Sequence, residues 1–332
     1  MEKREFGRTG MQLSVLGFGC GAVGGLMVRG DPLDQERTIA RAIAAGVNYF
    51  DTAVQYGNGE SEKNLGRVLQ RLKPANVAVG TKVRLPSGDF ENITNAVAKS
   101  LEGSLARLRL DRIDIFHLHN AITETGGGEA LSIRQVLGDV VPAFERLRQQ
   151  GKTRFLGFTA IGDTAALHQV IDARAFDSAQ VVYNMLNPSA AAGLPANYPA
   201  QDYGRLFDHT RAAGVGVVGI RVLAGGALSG SPDRHPIASP PPEPIGTAMS
   251  YDADVVRARR LMPLAKEGFA ATLTEAATRF AFSHPGIGTI LVGMATPRQF
   301  EDALAAVQNG PLPSAALDRL TALRQALAGE PR

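Results

Sequence analysis

The chain has a single cysteine, Cys20, among 332 residues, so no intrachain disulfide can form and a reducing compartment is expected. It has no apolar run long enough to cross a bilayer. The opening Met1-Glu2-Lys3-Arg4-Glu5 is followed by no apolar h-region, which argues against a secretory signal. A cluster of one charge sign is missing as well. The formal net charge is +3, but lysines and arginines are interleaved with acids, as in Arg107, Arg109, Asp111, Arg112 and Asp114. A nucleic-acid binder gathers its basic residues on one face. These absences leave a cytoplasmic protein with small-molecule partners, no nucleic acid and no membrane. No segment reads as a linker, so residues 1–332 are expected to form one domain, monomeric or weakly self-associating.

Enough apolar material is present for a large core: 44% of residues are hydrophobic and 20% charged, an ordinary globular balance. Short apolar runs alternate with amphipathic stretches along the whole chain. Strands are expected at residues 15–19, 47–50, 77–83, 113–118, 154–159, 179–183, 215–221 and 288–292. Helices are expected at 34–45, 61–72, 90–108, 140–150, 163–173, 203–213, 254–283, 297–307 and 314–327. Within these, Leu65, Val68, Leu69 and Leu72 share a face, as do Ile93, Val97, Leu101, Leu105 and Leu108. Asp34 reads as the N-cap of its helix and Gly46 as its stop. A hairpin turning at Thr9-Gly10 precedes the first strand, and two helices close the chain. Eight βα units at this length predict an α/β fold, a (β/α)8 TIM barrel. The alternation by itself also fits an open doubly wound sheet. Two long loops, one with Gly126-Gly127-Gly128 and one spanning 229–250, follow strands, and in a barrel both lie over the C-terminal face as candidate lids or binding loops.

Gly19-Cys20-Gly21-Ala22-Val23-Gly24 matches the G-x-G-x-x-G pattern, and Asp51 ends the next strand. A dinucleotide fingerprint needs a helix opening directly at the glycines to hold the pyrophosphate. Here the expected helix starts near Asp34. The plainer reading is a loop where backbone approaches backbone or a ligand closely.

Chemistry-bearing residues gather just past the expected strands: Asp51, Lys82, His119, Thr159, Gln180, Arg221 and Gly293, with Tyr56 in the loop after Asp51. In a barrel these loops converge on one face. A tyrosine, a lysine, an aspartate and a histidine meeting there suit carbonyl reduction. Hydride adds to carbon and a proton must reach oxygen. Tyr56 is the proton donor in this reading. The Lys82 ammonium favours the phenolate and lowers its pKa, Asp51 holds Lys82, and His119 orients the substrate oxygen. Each residue has a bland alternative: Asp51 an N-cap or turn former, Lys82 a surface residue, Tyr56-Gly57 a plain turn, His119 a core histidine, Cys20 a small buried hydrophobe. His117 and His119 face one side of their strand, but no third ligand stands at metal-site spacing, and no metal is expected.

These segments resemble the aldo-keto reductase superfamily over nearly the whole length. The resemblance lies in Phe6-Gly7-Arg8-Thr9-Gly10, Asn48-Tyr49-Phe50-Asp51-Thr52-Ala53 with Tyr56-Gly57, Ser61-Glu62-Lys63-Asn64-Leu65-Gly66, Gly80-Thr81-Lys82, and residues 111–119 ending at His119. It implies a catalytic tetrad of Asp51, Tyr56, Lys82 and His119, and NAD(P)H bound across the barrel mouth without a Rossmann domain. The cofactor positions it implies are Gly21, Asp51, Thr159, Gln180, Arg221, Leu223, Gly225, Gly293, Thr296, Gln299 and Asp302. Thr159 and Gln180 would meet the nicotinamide amide, residues 221–226 the pyrophosphate, and 293–302 the adenosine end. The chain departs from the family in Thr159-Ala160 for Ser-Asn, in Ile220-Arg221-Val222-Leu223 for an aromatic followed by Ser-Pro-Leu, and in Ala295 and Ala303 for Arg and Asn. With Arg298 reaching a 2′-phosphate, NADP(H) is favoured over NAD(H). The function implied is reduction of aldehydes or ketones. The alternatives are an NAD(P)+-dependent sugar or alcohol dehydrogenase on the same site, a cofactor-sensing binding subunit with little turnover, and a metal-dependent barrel enzyme using His117 and His119.

Overall fold

A computed structural model describes residues 1–330. Eight parallel strands close into a barrel: β1 (Leu16–Gly19), β2 (Tyr49–Asp51), β3 (Ala78–Val83), β4 (Ile113–Leu118), β5 (Thr153–Thr159), β6 (Ser178–Val182), β7 (Gly216–Ile220) and β8 (Thr289–Gly293). Each strand pairs with its sequence neighbour, and β8 pairs back on β1 with Val292 opposite Phe18. The expected (β/α)8 barrel is therefore present and the open-sheet alternative is not.

The helices follow the apolar stripes. Glu60–Leu72 buries Leu65, Val68 and Leu69 against the barrel. Ile93–Leu108 buries Ile93, Val97, Leu101 and Leu108. Burial of each such side chain contributes roughly 1.5–3 kcal/mol.

Three expected helices differ most. The helix after β1 is Pro32–Ala44, and its N-cap is Asp31, whose carboxylate accepts from Leu33 N at 2.8 Å, rather than Asp34. Pro32 at the first helical position needs no donor there and fixes the start. The expected 254–283 helix is broken into Tyr251–Arg260, Pro263–Lys266 and Leu273–Ser283. Pro263 cannot continue the preceding ladder, and Gly268 turns the chain at φ +83°. The 203–213 helix begins only at Leu206.

The barrel interior has two layers. Below, Tyr49, Ala78, Ile115 and Val218 pack on Phe6, Met11 and Leu13 of the N-terminal hairpin, which plugs the floor. Phe6 fits because β7 and the approach to β8 carry glycine: a Cβ on Gly216 or Gly288 would come within 2.8 or 2.6 Å of its ring. Above this apolar layer the inward positions become polar: Asp51, Lys82, His117, Thr159, Ser178 and Gln180 are all buried.

The two long loops both lie at the C-terminal end. After β4, Ile122–Thr123 pairs with Leu131–Ser132 around the glycine turn. Asn120 ties this insert to the β3 loop, donating to Leu85 O at 2.7 Å and Glu129 O at 2.8 Å.

Candidate active site

The inward period of each strand decides what meets. Tyr49 and Asp51 alternate on β2, and Gly80 and Lys82 on β3, so both polar tips rise to the same level. Register sets Asp51 opposite Gly80 and Lys82 opposite His117. Lys82 is 0% exposed and Asp51 2%. The Lys82 Nζ donates to Asp51 Oδ1 in a short contact and to Thr52 O at 2.8 Å. Asp51 Oδ2 accepts from Gln180 Nε2 at 2.6 Å and from Tyr49 OH at 3.1 Å. All three side chains donate, so the carboxylate has no acceptor to give a proton to and acts as an anion.

Tyr56 is set by a tight turn after β2. Its N–H donates to Ala53 O at 3.1 Å, and Gly57 and Gly59 adopt φ of +66° and +88°. The Lys82 ammonium lies 4.8 Å from the Tyr56 ring centroid. The His119 ring stands edge-on to Tyr56 at 6.2 Å. The four residues read as a tetrad thus come together, three of them in direct contact. Lys82 is buried rather than on the surface. Tyr56-Gly57 is a turn whose tyrosine lies over Lys82.

Electrostatics assign states to these groups. Burial pushes the Tyr56 hydroxyl above its ordinary value; Lys82 pulls it down and Asp51 pushes it up again. The expected net lowering by Lys82 is therefore outweighed by desolvation. Burial works to lower Lys82, but Asp51 and then Tyr56 more than offset it and hold the ammonium. His119 is pushed down to about 3, first by burial and then by the cations Lys82, Arg84 and Arg221, so it is neutral at ordinary pH. Its Nδ1 is buried with no hydrogen-bond partner among the described residues.

His117 is the satisfied core histidine on one side only: Nε2 meets Ser178 Oγ at 3.1 Å, and Nδ1 has no partner among the described residues. Its ring fills the space over Gly157, where a Cβ would stand 2.3 Å away. Among the described residues no group of three or more His, Cys, Asp or Glu side chains is arranged to hold a metal.

The remaining sequence-derived positions split into two sets. Gly21 lies beside Tyr56, since a Cβ there would sit 3.8 Å from its ring. Thr159 Oγ1 is 3.5 Å from Gln180 Oε1, and Arg221, at φ +56°, donates to Glu243 O at 3.1 Å and lies 3.4 Å from a Cβ on Gly225. Leu223 packs against the core before the turn at Ala224–Ser229. The outer set makes local contacts at the start of the helix after β8. Thr296 caps helix Pro297–Gln308, accepting from Gln299 N, while Gln299 Oε1 accepts from Ala295 N at 2.7 Å. Asp302 pairs with Arg298 at 2.9 Å on the surface.

The glycine-rich loop after β1 has the plain role. A Cβ on Gly19 would stand 2.9 Å from Val292 O, and one on Gly24 2.2 Å from Met294 N. A one-turn helix, Leu26–Arg29, does follow the glycines, ahead of the expected start near Asp34. Sequence reasoning missed the clasp built here. Arg29 Nε donates to Ile237 O at 2.7 Å, and its NH2 to Ala22 O at 2.7 Å. Arg234 donates to Gly225 O at 2.5 Å, Ala238 O at 2.9 Å and Val23 O at 3.1 Å. The 229–250 loop is thereby strapped to the β1 loop across the barrel mouth.

A parallel eightfold barrel with a buried ion pair and a half-buried phenol at its C-terminal mouth fits a barrel oxidoreductase. The chain belongs to the aldo/keto reductase family, whose model matches residues 15–325. It is 29% identical over 315 residues to L-galactose dehydrogenase of Arabidopsis thaliana, covering 92% of this chain and 88% of that one. It is 29% identical over 215 residues to D-threo-aldose 1-dehydrogenase of a Pseudomonas species, covering 57% and 63%. A solved aldo-keto reductase of Bacillus halodurans, in holo form, superposes with a TM-score of 0.70 at 24% identity over 97% of this chain and 96% of that one, which supports the fold. The chain is an NAD(P)-dependent oxidoreductase.

Proposed function

We propose that the protein reduces aldehydes or ketones to alcohols, with Tyr56 as proton donor, the whole chain working as one catalytic domain. The observation carrying this is the stacking of Lys82 under Tyr56 with Asp51 locked behind it. A bound NAD(P)H supplies the hydride. The residues fit such a group: Gln180 Oε1 has only the long contact to Thr159 among the described residues, leaving an acceptor for a carboxamide, and Gly21 leaves the face of Tyr56 open. Gly21, Thr159 and Gln180 would hold the nicotinamide end. Arg221, Leu223 and Gly225 would hold the phosphates, and Gly293, Thr296, Gln299 and Asp302 the adenosine end.

Chemically, Tyr56 enters as a neutral phenol because burial raises its pKa. It hands its proton to the carbonyl oxygen as negative charge develops there. Lys82 stabilises the phenolate left behind, Asp51 keeps Lys82 charged, and neutral His119 donates a hydrogen bond to the same oxygen.

The sign of the pH dependence follows. Reduction needs the protonated phenol, so kcat is expected to stay flat through neutral pH and fall only above the raised Tyr56 pKa. Oxidation of the alcohol needs the phenolate and is expected to rise over the same alkaline range. The groups facing Tyr56 are Lys82, Asp51, Arg221 and His119. A pH-rate profile in both directions checks this, and a reduction limb falling below pH 7 would remove Tyr56 from the role.

A second reading, oxidation of a sugar hydroxyl by the same residues, is favoured by the two dehydrogenases to which the chain is similar. On the cofactor, we propose that NAD(H) serves at least as well as NADP(H). Arg298, on which the NADP(H) expectation rested, is 84% exposed and paired with Asp302, whose carboxylate offsets the charge that Arg298 would offer a 2′-phosphate. The deciding experiment supplies an activated aromatic aldehyde and follows oxidation of NADH and NADPH separately. Turnover with NADH matching or exceeding NADPH supports both statements. Turnover with NADPH alone overturns the second.

The clasp makes a further expectation. Arg234→Ala removes donors to Val23 O and Gly225 O, so bound cofactor should leave about tenfold faster, by the worth of one charge-assisted hydrogen bond. Stopped-flow fluorescence of cofactor release reads this; an unchanged release rate removes the strap from cofactor retention.

A further inference from the structure

Tyr49 stands at the boundary between the two interior layers. Its ring belongs to the apolar floor with Ile115, Val218 and Phe6, and it is 0% exposed. Its hydroxyl points up into the polar layer and donates to Asp51 Oδ2 at 3.1 Å. The hydroxyl is accommodated because β3 carries glycine opposite it: a Cβ on Gly80 would stand 2.4 Å from Tyr49 OH, 3.2 Å from its Cζ and 3.3 Å from Asp51 Oδ2. Gly80 is inward-facing in mid-strand, where glycine weakens a sheet. Its φ is not among the positive ones, so backbone conformation does not demand it. The space does.

We propose that Tyr49 is a positioning residue for the reaction, acting through Asp51 in a notch that Gly80 keeps open. This rests on the reading of Asp51, Lys82 and Tyr56 given above. Asp51 Oδ2 is held by Tyr49 from below and by Gln180 from the β6 side, which leaves Oδ1 for Lys82. A carboxylate fixed at one oxygen by two donors cannot rotate. Lys82 is therefore kept at one height under the Tyr56 ring. The hydrogen bond also favours the ionised carboxylate, and with it the ammonium that Tyr56 needs. The charged and titratable groups around this carboxylate are Lys82 from β3, Tyr49 and Tyr56 from β2 and its loop, and Cys20 after β1; Asp114 on β4 adds its charge at Tyr49.

Three variants test the idea: Tyr49→Phe, Gly80→Ala and the double variant, each checked by thermal melting. Tyr49→Phe should lower kcat about tenfold, the worth of one hydrogen bond to a charged group. KM for the aldehyde should change little, because Tyr49 does not reach the substrate. The alkaline limb of the reduction profile should move to higher pH. Gly80→Ala should produce the same loss when Tyr49 is present and little further loss when added to Tyr49→Phe, where the displaced hydroxyl is gone. Asp51 titration, followed by carboxyl 13C NMR, should move to higher pH in Tyr49→Phe. The NMR reading needs no turnover, so it separates this proposal from the reductase assignment, which Tyr56→Phe tests. A Tyr49→Phe enzyme with wild-type kcat and pH limb, an Asp51 titration superimposed on wild type, or a Gly80→Ala cost that is equal in both backgrounds would each overturn the role of Tyr49.

Discussion

Tyr56→Phe is expected to lower carbonyl reduction on the order of 10³-fold, within the 10²–10⁴ range that a positioned general acid supplies. Cofactor binding should be unchanged. The phenyl ring keeps the face that Gly21 approaches and the contact with the His119 edge; only the hydroxyl is lost. His119 cannot take over as acid, since it is neutral with its pKa pushed down to about 3 by burial and the cations Lys82, Arg84 and Arg221. Lys82 is tied to Asp51 and Thr52 O beneath the ring. The loss should therefore fall on kcat and on kcat/KM alike. Single-turnover kinetics with titration of cofactor binding by fluorescence would read both. Turnover within threefold of wild type would mean that another group delivers the proton. Equal loss of cofactor binding would make Tyr56 a binding residue instead.

Much of this was legible in the chain. The eight strands, the helix faces built on Leu65 and Ile93, and the N-terminal hairpin follow from periodicity and turn residues, because burial on one face leaves a regular mark; that the hairpin plugs the floor does not. The convergence of the candidate site residues was legible for a different reason: polar side chains at the ends of apolar strands are costly unless they meet, and a barrel brings strand ends together. Lys82 inside an apolar strand was the plainest such signal.

What escaped had local or many-bodied causes. Asp31 outcompeted Asp34 as cap because Pro32 already marked the first helical position, a signal present in the sequence. The break of 254–283 at Pro263 and Gly268 was equally present. By contrast, the net upward shift of Tyr56 depends on how completely the barrel excludes water, which no residue pattern encodes. Nor does spacing reveal that Gln180 reaches Asp51 across the barrel, or that Arg234 straps two loops 211 residues apart. Tyr49 lies inside an expected strand, and only Gly80 on the neighbouring strand shows that its hydroxyl has a place.

Lys82→Met should remove turnover as fully as Tyr56→Phe and also destabilise the fold, which Tyr56→Phe should not. Methionine nearly conserves volume, so packing changes little. The charge balance changes: Asp51, 2% exposed, loses its counter-ion and keeps only Tyr49 and Gln180. Removing one partner of a buried pair costs about 3–5 kcal/mol, and the two remaining donors argue for the lower end. The deficit should depend on pH in a definite direction. Burial raises the Asp51 pKa and Lys82 is the largest influence lowering it, so without Lys82 the folded-state pKa rises well above the unfolded one. Such a group favours the fold most where it is protonated and loses that advantage as pH rises through its folded pKa. The stability gap from wild type should hence narrow as pH falls. Adding Asp51→Asn removes the orphaned charge and should recover most of the stability while leaving the enzyme inactive, because Tyr56 still lacks its cation. Urea unfolding of wild type, Lys82→Met and the double variant at several pH values reads the first effect, and aldehyde turnover the second. Recovery of both stability and turnover in the double variant would mean that Lys82 serves the fold alone. A stability gap that does not vary with pH would mean that Asp51 is not the group left unpaired.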